Sequence, residues 1–167
     1  MMTFATVVLA AVTLQRLAEL ALANRNTACL LARGGIEKSP GHYPAIVILH
    51  AAWLSALWIM AASAPVNLVW LAVFGVLQGL RVWVISTLGE RWTTRIIVVP
   101  GEARVRRGPY RFVNHPNYLI VIAEVIALPM ALGHPLIAIA FTVLNAAVLW
   151  VRIRAETLAL AEAEMHR

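Results

Sequence analysis

Five long apolar segments dominate the chain, and polar, glycine-containing or proline-containing sequence bounds each of them. A bilayer core needs about 20 apolar residues per helix, and somewhat fewer for a helix that is buried in a bundle. The pattern therefore predicts about five transmembrane helices, at residues 3–23, 44–63, 66–88, 116–132 and 135–151 or beyond. Alternating polarity is missing and open strand edges cannot face lipid, so we expect an all-α integral membrane protein and no sheet within the membrane.

Two short connections predict how the helices pair. Ala64-Pro65 joins the second and third spans, and Gly133-His134-Pro135 joins the fourth and fifth. Both are turn sequences, so each pair should form an antiparallel hairpin. No linker or solenoid repeat interrupts the chain, and residues 1–167 are therefore predicted to form a single domain.

The basic residues predict the orientation. They follow the first, third and fifth spans: Arg25, Arg33 and Lys38; then Arg91, Arg95, Arg104, Arg106, Arg107 and Arg111; then Arg152, Arg154 and Arg167. Five spans put all three groups on one side, and the other two turns carry no lysine or arginine. By the positive-inside rule that side is cytoplasmic, so we expect the N-terminus outside and the C-terminus inside, with the end of the fifth helix extending into the cytoplasm.

Composition agrees with a membrane protein. The chain is 61% hydrophobic and 13% charged, whereas soluble domains are about 25% charged. A net charge of +6 could indicate nucleic-acid binding, but the positive charges lie between apolar spans, where they orient the protein, so we expect no nucleic-acid partner. Cys29 has no histidine or cysteine at metal-ligand spacing, which indicates an inert thiol and no metal site.

Residues 108–118 (GPYRFVNHPNY) form a polar, aromatic segment directly before an apolar span. Membrane proteins rarely keep such chemistry beside the bilayer without a use for it. Pro116 should begin the fourth helix, which fixes His115 at a bend and lets His115 and Tyr118 face one ligand. Either residue alone could be structural, as a helix cap or an interfacial aromatic. The whole string favours a ligand site.

A second polar cluster, residues 152–156, closes the last apolar span. Arg152 and Glu156 are four apart and share a helix face, so an intrahelical salt bridge worth under about 1 kcal/mol is one interpretation. The alternative is that Glu156 faces a cofactor while an arginine aligns an anionic substrate, because a guanidinium binds an oxyanion bidentately. Between the two clusters, residues 95–102 predict a short extended piece followed by a turn.

Four charged residues lie within the predicted spans: Arg16, Glu19, Arg81 and Glu124. Charges at this depth should face the bundle interior. They either neutralise one another, as Arg16 with Glu19 and Glu124 with Arg81, or line a substrate pocket. Trp92 is a further candidate for that pocket, because it lies in the polar loop whereas most of the other tryptophans lie near predicted interfaces.

Together these motifs resemble the isoprenylcysteine carboxyl methyltransferase family. The resemblance covers roughly residues 88–160, with order and spacing intact, and its motifs are Trp92-Thr93, Gly108-Pro109-Tyr110-Arg111, His115-Pro116-Asn117-Tyr118 and Arg152-Ile153-Arg154-Ala155-Glu156. The first part, through Arg16-Leu17-Ala18-Glu19-Leu20, Arg25-Asn26 and His42-Tyr43-Pro44, is similar to the short bacterial branch, whose members are often associated with type III polyketide synthases and methylate alkylpyrone-like lipids.

The resemblance implies an S-adenosylmethionine-dependent methyltransferase of the bacterial inner membrane. Residues 1–88 would be a three-helix scaffold, and residues 89–167 would supply the cofactor-binding loop and C-terminal helices around a cytoplasmic pocket that a lipid substrate enters from the bilayer. By motif, the expected cofactor contacts are His115, Pro116, Asn117, Tyr118 and, at the polar end, Glu156, while Arg111 or Arg152 holds the acceptor. Asn114 stands where the family usually has arginine or lysine, and Thr157 where it often has a second glutamate.

The chemistry fits an acidic acceptor. A carboxylate or acidic enol is ionised near neutral pH, so methyl transfer to it needs neither a strong base nor a metal. We therefore expect an O-methyltransferase acting on a lipophilic acidic acceptor, with a prenylcysteine, a polyketide hydroxyl and a fatty acid all open and a polyketide synthase as a possible neighbour. The alternatives are a phospholipid headgroup N-methyltransferase, whose amine acceptor would need acidic residues, and a non-catalytic membrane scaffold.

Overall fold

The computed structural model describes residues 3–165, which form five α-helices with short intervening elements. The helices are α1 (Phe4–Ala32), α2 (Tyr43–Ala61), α3 (Leu68–Leu88), α4 (Pro116–Ala131) and α5 (Pro135–Met165). Within the described residues, four helices are long and apolar enough to cross a membrane, and α4 is a shorter apolar helix. The prediction of an all-α membrane protein is confirmed.

The fourth predicted span, α4, is a short central helix. Its 16 residues rise about 24 Å at 1.5 Å per residue, less than the roughly 30 Å of a bilayer core. It begins at Pro116, where the missing N–H costs nothing, and the chain turns just after it at Gly133, whose φ is +74°. Nine of its residues are buried, since α4 packs against α3 and α5. A helix enclosed in this way meets little lipid.

The first helix is longer than the sequence predicted. It ends at Ala32 and not near residue 23, so Arg25 lies on the helix and not in a loop, and Arg33 caps its end. The reason is Asn26, whose Nδ2 donates to the carbonyl oxygens of Trp92 at 2.7 Å and of Gly89 at 3.2 Å. A polar stretch that reads as a loop is therefore helical because its amide is paired with the loop after α3.

Helix α5 continues to Met165, as the sequence predicted for the tail; Arg167 lies outside the described residues. The extended piece predicted within residues 95–102 is β2 (Ile97–Val98), and it is followed by a turn in which the Glu102 N–H donates to the Val99 carbonyl. It pairs antiparallel with β1 (Ile36–Glu37), a two-residue ladder that was not predicted. This ladder joins the loop after α1 to the loop after α3.

The two ends of the bundle differ in charge. At one end, the loops after α1 and α3 meet along the β1–β2 ladder, and α5 contacts β2. At the other, Thr6 Oγ1 donates to the Ala62 carbonyl at 2.8 Å and the Asn67 N–H donates to the Ala131 carbonyl at 2.7 Å. The predicted basic regions that the structure describes therefore gather at one end, hereafter the basic end.

The core and the surface are both apolar. The main core brings together fully buried side chains from several helices, such as Leu9, Leu57 and Leu128. The outward faces carry large apolar side chains too, with Ile59 83% exposed and Leu136 79% exposed. A soluble domain would lose solubility with such faces, whereas lipid tails accept them.

Candidate active site at the basic end

Two adjoining cavities, with volumes of about 170 and 110 Å³, lie at the basic end between the end of α3, β2 and α5. We call them the loop cavities. The residues that line both are Leu88, Arg91, Ile97, Val98, Tyr110, Glu156 and Leu160. They combine apolar side chains with a carboxylate, a guanidinium and a phenol, so they suit a ligand that has both apolar and polar parts.

A larger cavity of about 320 Å³ extends from this site between α1, α2, α4 and α5, and we call it the membrane cavity. Apolar side chains such as Leu17, Val47 and Leu54 form much of its lining. It and the smaller loop cavity are lined in common by Trp92, Thr93, Asn117, Tyr118 and Arg152. These five residues, the shared wall, are where a ligand in one cavity would meet a ligand in the other.

Arg152 and Glu156 are linked by hydrogen bonds through the Tyr118 hydroxyl. The Arg152 Nε donates to the Tyr118 hydroxyl at 2.8 Å, and that hydroxyl donates to the Glu156 carboxylate. The His115 ring stacks on the Tyr118 ring at a centroid distance of 5.4 Å, and its Nδ1 lies 3.6 Å from Glu156 Oε2. The sequence suggested a direct Arg152–Glu156 bridge as one interpretation; the structure instead inserts the phenol, which fixes the orientation of all three side chains.

Arg152 is 8% exposed yet has no carboxylate bonded directly to it among the described residues. Its Nε is occupied by Tyr118, so the terminal nitrogens are the ones available to an anionic ligand. A buried guanidinium stays charged, and in a low-dielectric site it binds an oxyanion more strongly than it would in water.

Tyr110 reaches the loop cavities because the segment before it packs closely on α3. Gly108 has a φ of +57°, and a Cβ at this position would lie 2.6 Å from Thr87 Oγ1. Glycine therefore allows the approach sterically. Burial, together with the negative charge of Glu156, raises the pKa of the Tyr110 phenol. The phenol consequently stays neutral and can donate a hydrogen bond near neutral pH.

Some buried polar atoms near the cavities have no hydrogen-bond partner within the part of the chain that the structure describes. They include Asn117 Oδ1 in the shared wall and Trp53 Nε1 beside the membrane cavity. An unpaired buried polar group costs about 1–3 kcal/mol, so such atoms suit a bound ligand that would pair them.

The four membrane-depth charges form one electroneutral cluster. Arg81 donates to Glu19 through Nε at 2.6 Å and Nη2 at 2.7 Å, and to Glu124 through Nη1 at 3.0 Å. Arg16 bonds both carboxylates, each at 2.9 Å. All four side chains also line the membrane cavity. The two interpretations left open by the sequence are thus compatible, because the charges neutralise one another and still form a polar part of the cavity wall.

The structure brings most of the predicted site residues together. His115, Asn117, Tyr118 and Glu156 line the smaller loop cavity, whereas Pro116 is buried in the first turn of α4. The five residues predicted for a substrate pocket, Arg16, Glu19, Arg81, Glu124 and Trp92, all line the membrane cavity. Their roles in binding stay predictions.

Arg111 is placed differently from the rest. Its side chain is exposed and its Cζ lies 4.3 Å from the centroid of the Phe112 ring. It lines neither the loop cavities nor the membrane cavity. Of the two arginines that the sequence offered for holding an acceptor, the geometry therefore favours Arg152.

His42 is a neighbour of the site to which the sequence assigned no role, although it belongs to the His42-Tyr43-Pro44 motif. It ends the short turn before α2, and Arg152 and Glu156 are both close enough to act on it electrostatically. Next to it, Tyr43 lies under the guanidinium of Arg95, with 4.5 Å between Cζ and the ring centroid. The available signal was the His-aromatic-Pro sequence at a helix start, which resembles the His-Pro start of α4.

Known proteins match the part of the chain that contains this site. The model of a family described as "Isoprenylcysteine carboxyl methyltransferase (ICMT) family" matches residues 68–162. "Uncharacterized protein YpbQ" of Bacillus subtilis (strain 168) is 37% identical over 153 residues, 89% of this chain and 91% of that protein. An "Uncharacterized protein" of Haemophilus influenzae (strain ATCC 51907 / DSM 11121 / KW20 / Rd) is 26% identical over 166 residues, 96% of each.

Proposed function

Because the chain belongs to the isoprenylcysteine carboxyl methyltransferase family, we propose that it is a membrane methyltransferase that uses S-adenosylmethionine to methylate a carboxylate or acidic hydroxyl of a lipophilic acceptor. The observation that carries the proposal is the shared wall. Arg152 and Tyr118 stand between a small cavity with a mixed polar and apolar lining and a larger, mainly apolar one. A methyl donor and a lipid acceptor in these two cavities would meet there.

The loop cavities fit S-adenosylmethionine, which when bound would supply an activated methyl group on its sulfonium. Glu156 can accept hydrogen bonds from ammonium or hydroxyl groups, and the unpaired Asn117 Oδ1 can accept one more. Apolar side chains of Ile97, Val98 and Leu160 offer a surface for a purine ring. The stacked His115–Tyr118 pair presents electron-rich aromatic surface that suits a cation.

The membrane cavity favours an anionic acceptor over an amine. Glu19 and Glu124 in its wall are already bonded to Arg16 and Arg81. Arg152, in contrast, keeps terminal nitrogens available at the shared wall. An oxyanion would gain a charge-assisted hydrogen bond there, whereas an ammonium would be repelled. This argues against the phospholipid amine alternative, and the apolar lining suits an alkyl or prenyl tail.

Residues of the site can hold an oxyanion and exclude water without acting as a base. Trp92 is 2% exposed and Tyr118 is 7% exposed, so the shared wall is largely closed to solvent. An ionised carboxylate or enol needs only positioning and desolvation for methyl transfer. Arg152 supplies the positioning, and Tyr118 and Glu156 hold Arg152 in place.

We further propose that the basic end faces the cytoplasm of a bacterial cell, with the protein in the inner membrane and the N-terminus outside. The gathering of the positive loops at this end supports that orientation. A prenylcysteine, an alkylpyrone and a fatty acid present the same chemistry to Arg152, and a type III polyketide synthase is the proposed neighbour only if the acceptor is a pyrone.

The test is transfer of a labelled methyl group. Membranes that contain the protein would be incubated with methyl-labelled S-adenosylmethionine and, separately, a farnesylcysteine analogue, an alkylpyrone, a long-chain fatty acid or phosphatidylethanolamine. We expect label in at least one acidic acceptor. Base treatment then distinguishes the products, because it releases the label as methanol from a methyl ester but not from an enol ether. Label confined to phosphatidylethanolamine would overturn the anionic assignment.

A further inference from the structure

A further cleft of about 420 Å³ opens at the basic end, away from the shared wall, and it shares Leu88, Arg91, Ala103, Arg104 and Val105 with the lining of the larger loop cavity. We call it the arginine cleft. Its polar lining consists of Arg91, Arg104, Arg106 and Arg107, and its remaining lining residues are Leu88, Ala103 and Val105. Nothing in the methyl-transfer scheme uses this concentration of guanidinium groups.

Most of this positive charge is uncompensated. Arg91 is paired, since its Nη2 lies 2.6 Å from Glu102 Oε2 and its Nη1 donates to the Ala103 carbonyl. Within residues 3–165, Arg104, Arg106 and Arg107 make no ion pair, and the Arg107 guanidinium donates one long hydrogen bond, to the Thr87 carbonyl at 3.5 Å. Like charges held around one cleft repel each other, so an anion that bridges them would be favoured.

The position of the cleft points to a lipid anion. Leu88 is the last residue of α3, so the cleft opens where a candidate membrane span ends. On the same loop, Phe112 is 64% exposed and Val113 is 40% exposed. Arginines combined with exposed apolar side chains suit the boundary between headgroups and acyl chains, whereas a soluble phosphate would have no use for the apolar ones.

We propose that the arginine cleft binds the phosphodiester headgroup of an anionic phospholipid. The guanidinium fork matches two phosphate oxygens and keeps its charge at the membrane surface. Because Arg91 and Arg104 line the larger loop cavity as well, the bound lipid would hold the loop that covers that cavity. The protein would thus be most ordered in a membrane that carries negative charge.

The test is thermal unfolding of the purified full chain in detergent, titrated with phosphatidylglycerol, phosphatidylcholine or inorganic phosphate. We expect a saturable rise in Tm with phosphatidylglycerol only. The double variant Arg104→Gln/Arg106→Gln should need about 25-fold more phosphatidylglycerol for half the rise, since each arginine near an anionic surface contributes about fivefold.

The matched control is Arg25→Gln/Arg154→Gln, which removes the same charge from exposed positions of the basic half outside the cleft. The control should need about as much phosphatidylglycerol as the wild type for half the rise in Tm.

An equal weakening of phosphatidylglycerol binding in both double variants would show diffuse electrostatic attraction and overturn the proposed site. An equal rise in Tm with phosphatidylcholine or inorganic phosphate would overturn the assignment of an anionic lipid. Native mass spectrometry, which counts bound phosphatidylglycerol directly, should rank the variants in the same order. Neither measurement uses S-adenosylmethionine, so a negative result would overturn the lipid-binding proposal and leave the methyltransferase proposal intact.

Discussion

Replacing Arg152 with alanine is expected to lower the rate of methyl transfer by about 10²–10³-fold, the range seen when one preorganised donor to a reacting oxyanion is removed. Arg152 is the buried cation of the shared wall, and it is held by the Tyr118 hydroxyl. Without it, an anionic acceptor would have to enter an apolar cavity uncompensated. Binding of S-adenosylhomocysteine should be much less affected, because Glu156, His115 and Asn117 remain.

Two variants make this result specific. Arg152→Lys keeps the charge but loses the fork, so activity should return only in part. Arg154→Ala removes an exposed arginine on the same helix, whose Cζ lies 4.0 Å from the Trp150 ring centroid, and should leave the rate unchanged. Initial rates with the acceptor found in the labelling assay are the measurement. Full activity in folded Arg152→Ala would contradict the assignment of the acceptor site.

Replacing Arg81 with methionine is expected to destabilise the fold by about 3–5 kcal/mol, the usual cost of removing one partner from a buried ion pair. Arg81 is 7% exposed and bonds both Glu19 and Glu124. Its loss leaves two carboxylates to share Arg16, and hence a net negative charge at membrane depth. The free energy of unfolding can be measured from tryptophan fluorescence in mixed micelles of increasing denaturing-detergent content.

A double-mutant cycle separates this charge imbalance from lost packing. Arg81→Met/Glu124→Gln restores neutrality, since Arg16 and Glu19 remain as a pair. Its loss of stability should therefore be smaller than the sum of the two single losses. Arg25→Met, at an exposed position of α1, is the control and should change stability by less than about 0.5 kcal/mol. Strict additivity would show that the cluster does not act as a unit.

The helical architecture could be predicted because apolar length and turn residues are local signals. The end of α1 could not, because it depends on a distant contact. The hydrophobic pattern stops near residue 23, but Asn26 finds the Gly89 and Trp92 carbonyls and the helix continues to Ala32. The β1–β2 ladder was missed for the same reason, since two residues of each strand carry too little pattern to show their pairing.

The sequence predicted which residues form the candidate site, but not how they are hydrogen-bonded to one another. Spacing placed Arg152 and Glu156 on one helix face, and only the packing of α4 against α5 shows that Tyr118 lies between them. Nor did the sequence distinguish Arg111 from Arg152. The two differ because the Arg111 guanidinium packs on the neighbouring Phe112 ring at the surface. In contrast, the depths of Arg81 and Glu124 were enough to suggest their pairing.

Binding of the methyl donor in the loop cavities underlies the proposed function, and calorimetric titration with S-adenosylhomocysteine measures that binding without any knowledge of the acceptor. We predict binding in the micromolar range by the purified protein, lost in His115→Ala/Glu156→Gln, which removes two side chains that line the smaller loop cavity. Glu90→Gln, at an exposed glutamate outside the loop cavities, should bind like the wild type. Absence of binding to the folded wild type, in lipid as well as in detergent, would contradict the methyltransferase assignment.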